Sequence, residues 1–174
     1  MDLELVVAVA EILGALAVLV SLVYLAVQIR QNTNSMKANT EQGIASATSS
    51  SIIGIAHTNI PYLIVRASAD PESLSDEETA QFAIWLNGSL RQWEHAYFQY
   101  KSGNFSEDSW NGLFQQILMH MSSEGVRTYW GIRRTTFRRD FRELVDSMAI
   151  ESGPESSSEA FNKMRSVNGS NEDK

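Results

Sequence analysis

The sequence predicts an all-α fold: an N-terminal transmembrane helix extended into a small cytoplasmic helical bundle. Three observations predict it. Residues 5–29 form an apolar run with one charged side chain, Glu11, and no proline. Downstream, bulky apolar residues recur at spacings of three and four behind serine-acid starts. No stretch pairs the period-two alternation of a strand with flanking turn residues.

The apolar run comes first in the chain. At about 1.5 Å per residue it makes a helix of roughly 37 Å, against a hydrocarbon core of about 30 Å. A core helix of a small soluble domain rarely stays apolar all round for that length. The start, Met1-Asp2-Leu3-Glu4, is acidic. A secretory signal wants a basic start and a shorter apolar run before a small-residue cleavage site. Arg30 and Lys37 follow the run, while Asp2 and Glu4 precede it. The bias of basic residues towards the cytoplasmic side then puts a short N-terminus outside and the rest of the chain inside.

Read in steps of four and three, Ala10, Gly14, Ala17, Ser21, Tyr24 and Gln28 fall on one seam. Its members are small or polar, whereas Leu13, Leu16, Val20, Val23 and Val27 opposite are bulky. Lipid does not distinguish leucine from valine, so membrane helices associate by close backbone approach and polar contacts. A 3.5-residue period suits a left-handed bundle. A homo-oligomer through this seam is the expectation. Glu11 has two readings. It lies about one turn inside the outer boundary, where it reaches headgroup water, or it pairs or attracts ions beside the seam.

Residues 28–51 are rich in Gln, Asn, Thr and Ser, with few charges. The seam continues through them and no proline intervenes before Pro61, so the membrane helix is expected to run on as a helical extension, the alternative being a flexible Ser/Thr-rich linker. A polar helix without many charge pairs needs a partner, either the rest of this chain or another copy. The expected divisions are a membrane segment at 1–29, an extension at 30–57, a cytoplasmic domain at 58–150 and a disordered polar tail at 151–174.

Pro61 suits the first turn of a short helix, and Asp70-Pro71-Glu72 is turn chemistry. Ser75 with Glu78 three residues on is a capping box. It opens an amphipathic helix carrying Phe82, Leu86, Ser89 or Leu90, Trp93, Tyr97 and Tyr100 inward, stopped by Gly103. Ser106 starts the next helix, with Trp110, Leu113, Phe114, Ile117, Leu118 and Met121 facing in. A last helical stretch is expected from about Val126, bent at Gly131, burying Trp130, Phe137, Phe141, Leu144 and Met148.

Three blocks, SLVYLAVQIRQNTNS, RQWEHAYFQYKSGNFSEDSW and VRTYWGIRRTTFRRDF, resemble a widespread set of small bacterial single-span membrane proteins known only as domains of unknown function. The resemblance covers most of residues 10 to 149. It implies a one-span helical protein of the bacterial inner membrane and carries over no functional residues.

Chemistry is sparse. With no cysteine in 174 residues, disulfides, thiolate metal sites and a cysteine nucleophile are excluded. A net charge of -7 argues against a nucleic-acid partner. Of His57, His95 and His120, only His95 has an adjacent acid, Glu94, and neighbours on a helix point about 100° apart. Di-metal bundles need Glu and His three apart on two helices, so no metal, cofactor or enzyme activity is expected. No phosphate-binding, metalloprotease or nucleophile-elbow motif occurs.

The densest charge lies at Arg127, Arg133, Arg134, Arg138, Arg139 and Arg142. Arg134, Arg138 and Arg142 are four apart and would stack along one helix face, repelling each other unless an anion answers. Arginine suits carboxylate or phosphate. Asp76, Glu77 and Glu78, a neighbouring protomer's acids, or anionic lipid headgroups are the candidate partners. Two functional classes remain: a membrane-anchored interaction scaffold, or a homo-oligomeric cation pore with Glu11 near its outer mouth.

Overall fold

The structure is a computed structural model and describes residues 2–148. The expected polar tail at 151–174 lies outside the described residues. Among them there are six α-helices and no strand: α1 (Leu3–Ala56), α2 (Ile60–Ala69), α3 (Asp76–Lys101), α4 (Glu107–Met121), α5 (Glu124–Arg133) and α6 (Arg139–Met148). The chain divides after Thr40 into two units.

The first unit is the N-terminal part of α1. Every described side chain in residues 2–39 is exposed. Its apolar stretch is long and apolar enough to cross a membrane. Serines and threonines along α1 bond back to the preceding turn: Ser21 Oγ donates to the Ala17 carbonyl at 2.8 Å and Thr33 Oγ1 to that of Ile29 at 2.9 Å. This habit lets hydroxyls sit in a helix without water.

The second unit contains the end of α1 and the remaining helices. Ile44 joins the core, Glu41 Oε1 accepts from the Ser106 backbone N–H at 3.0 Å, and Gln92 Nε2 donates to Thr48 Oγ1 at 2.7 Å. The polar extension therefore finds part of its partner in its own chain.

Local chemistry sets the helix ends. Pro61 occupies the first turn of α2. The Ser75–Glu78 capping box forms in full, and Glu78 also pairs with Arg66 of α2 at 2.6 Å. These bonds, the Ser75 N–H first, hold the Glu78 carboxyl below its usual range. Gly103, at φ 72°, closes α3: its N–H reaches the Tyr100 carbonyl and the Asn104 N–H that of Gln99, both at 2.9 Å.

The inward stripe of α3 packs against α2 and α4, burying Phe82, Leu86, Leu90, Trp93 and Ala96. Helices α2 and α5 cross closely. A Cβ added to Gly125 would stand 2.5 Å from the Ala67 carbonyl oxygen, so this crossing requires glycine.

The final stretch departs from expectation. It is two helices, not one bent at Gly131, which lies inside α5. The break is a 3-10 turn at Arg134–Thr136 followed by extended Phe137. Phe137 turns into the core between Trp130, at 5.2 Å, and Phe141, at 6.0 Å. The break buries Phe137 against these rings, which a continuous helix in this register would not do.

Candidate functional site

Two places bear on function: the exposed face of α1 in the first unit and the arginine-rich corner of the second.

On α1, the seam residues Ala10, Gly14, Ala17, Ser21, Tyr24 and Gln28 are all exposed, as is Glu11. A Cβ at Gly14 would meet nothing within 4 Å. Gln28 Nε2 donates to the Tyr24 hydroxyl at 2.6 Å, one helical turn away. The seam's larger polar side chains thus engage each other, leaving a strip with small residues above and a paired amide and phenol below. The opposite face exposes Leu13, Leu16, Val20, Val23 and Val27.

The arginines of the second unit do not stack. The break between α5 and α6 puts Arg134 in the 3-10 turn, Arg138 just before α6 and Arg142 inside it. This corrects the expectation of one shared helix face. Arg134 and Arg138 meet different environments, and Glu78, one of the expected acidic partners, pairs with Arg66 instead. Arg134 ion-pairs with Asp146, whose other carboxylate oxygen accepts from the Trp130 indole N–H at 2.9 Å. The Arg138 guanidinium lies 4.4 Å over the Phe98 ring. Arg139 pairs with Glu143 at 2.8 Å, and this hydrogen bond raises its affinity for its proton.

What sequence reasoning missed is the clip that holds the break open. Arg91 and Glu94 sit three apart on α3 and pair at 2.9 Å. Arg91 donates to the Thr136 carbonyl at 3.0 Å and covers the Phe137 ring at 4.1 Å. Glu94 Oε1 accepts from the Arg138 backbone N–H at 2.6 Å. One ion pair therefore serves the carbonyl on one side of the break and the N–H on the other. The i,i+3 spacing of the pair was visible in the sequence; its partners, some 44 residues away, were not.

Beside this clip, Glu94, Lys101, Arg138, Arg139 and Asp140 border a groove of about 260 Å³ floored by Tyr97 and Phe141. Its charges are mixed, and the start of α6 is already answered by the Glu94 carboxylate. The Trp93–Tyr97–Tyr100 stripe is core: Trp93 is buried and both tyrosines pack on Trp110 at 5.3 Å. Among the described residues no three His, Asp or Glu side chains are grouped to hold a metal.

Comparison with known proteins finds no matching family model, no similar curated protein and no similar solved structure.

Proposed function

We propose that this protein is a single-span membrane protein whose helical domain, on the cytoplasmic side of a bacterial inner membrane, acts as a self-associating interaction scaffold. One observation carries the reading. The apolar window of α1 is wholly unburied by the rest of the chain. A continuous apolar surface of that extent is unstable in water and at home among acyl chains. The seam supports self-association: the bulky face suits lipid, and Gly14 leaves room for a second backbone. The absence of cysteine from the chain makes the topology easy to test.

In native membranes the protein is expected to resist extraction by alkaline carbonate. A cysteine introduced at Asp2 should react with an impermeant maleimide from outside the cell, and one at Ser102 only after lysis. Gly14→Ile should convert the purified oligomer in nanodiscs towards monomer. Release by carbonate would overturn the membrane reading, and a wild-type monomer would overturn self-association. Cation flux from reconstituted vesicles that Glu11→Gln abolishes would replace the scaffold with a pore.

A further inference from the structure

We propose that the second unit carries a binding site for a small, uncharged, single-ring molecule bearing an amide-like hydrogen-bonding edge. The site is a pocket of about 180 Å³ between the end of α1, α2, α3 and α4. It lies within the second unit and stands whether or not α1 enters a membrane.

The lining sets the ligand's chemistry. Trp85 and Trp93 form an aromatic wall with His120 between them: the imidazole stacks on Trp93 at 5.3 Å and meets Trp85 edge-on at 5.8 Å. Ile52 and Ile64 supply apolar surface. Against this wall stand neutral polar groups from three helices, Ser51, Gln92 and Gln116. Gln92 is anchored by its bond to Thr48. The Gln116 side-chain amide makes no hydrogen bond among the described residues, so it offers both a donor and an acceptor to a guest. Aromatic walls with a few convergent polar groups are the usual make-up of a small-molecule site.

Charge is excluded by the same lining. No Lys, Arg, Asp or Glu borders the pocket among the described residues. Burial pushes the His120 imidazole down to about 4, so it is neutral near pH 7. An ionised guest would leave water with no countercharge to meet it. Size follows from volume. The pocket has room for about six waters at about 30 Å³ each, below the roughly 300 Å³ at which drug-sized sites begin. One ring with one polar substituent fits. Exposed Ser51 and Ile52 form the mouth, so entry requires no opening of the core.

The test uses the full-length protein in nanodiscs and three probes of one shape: benzamide, benzoate and benzamidine. Benzamide should quench the tryptophan emission saturably, with a Kd of about 1 mM or tighter, and shift the His120 ring resonances. Benzoate and benzamidine should bind about tenfold or more weakly. Gln116→Leu should weaken benzamide about tenfold, and Ser51→Trp, a change at an exposed helical position, should block it while the melting temperature holds. No saturable response to benzamide, equal binding of the charged probes, or undiminished binding to Ser51→Trp would each overturn the proposal.

Discussion

The Glu94 carboxylate and the Arg138 backbone N–H, 44 residues apart, meet at 2.6 Å. A side chain of α3 thereby caps the start of α6, the task usually given to a residue three positions into the same helix. The negative charge also complements the positive end of the α6 dipole. Glu94→Ala is expected to destabilise the second unit by about 1–2 kcal/mol. Glu94→Gln should recover part of that loss by keeping an acceptor. Urea unfolding checks both, and an unchanged midpoint for the alanine variant would refute the cap.

Gly125→Ala should be more damaging than its size suggests. The new methyl would press on the Ala67 carbonyl, which is backbone and cannot rotate away. The expected loss is about 1–3 kcal/mol, the range for overpacking, although alanine is the better helix former by about 1 kcal/mol. Gly112→Ala, where a Cβ meets nothing, should be neutral or stabilising. Equal melting temperatures for the two variants would contradict the close crossing of α2 and α5.

His120 gives stability a pH dependence whose sign is fixed. Its pKa in the folded state is pushed down to about 4 from an ordinary 6.5 by burial. Between these values the unfolded chain binds the proton and the folded one does not. Stability should therefore fall as pH drops from 6.5 towards 4, by at most about 1.4 kcal/mol per pH unit. His120→Phe should flatten that slope. The lowered carboxyls Glu41 and Glu78 begin to act within about one unit of their ordinary 4.5, so the interval from 6.5 to about 5.5 isolates the histidine. A slope unaffected by His120→Phe would show that the imidazole is not the group responsible.

Asn87 Oδ1 is buried with no hydrogen-bond partner among the described residues. An unmet buried acceptor costs about 1–3 kcal/mol, and replacing it by an apolar group of similar shape removes that cost. Asn87→Leu is therefore expected to raise the melting temperature. A lower one would mean that the amide is satisfied in solution.

The sequence by itself determined the helices whose ends are local. The Ser75–Glu78 box, the Ser106 start, Pro61 in α2 and Gly103 after α3 all act within a few residues, so their signals are contiguous in the chain. The apolar run of α1 is equally local, because length and composition suffice to recognise it. The inward stripe of α3 follows from the 3.6-residue period.

Only the tertiary structure decided what depends on distant partners. The interruption between α5 and α6 exists because Phe137 packs between Trp130 and Phe141 while Arg91 and Glu94 take up the freed backbone groups. Nothing within the run Arg133-Arg134-Thr135-Thr136 announces this. The same break scattered Arg134, Arg138 and Arg142, whose spacing of four had meaning only on a continuous helix. The docking of the end of α1 through Ile44, Glu41 and Thr48, and the need for glycine at 125, likewise come from surfaces that meet only after folding. Caps and periodicity are properties of neighbouring residues, whereas packing and the satisfaction of backbone groups are settled between segments that the chain keeps far apart.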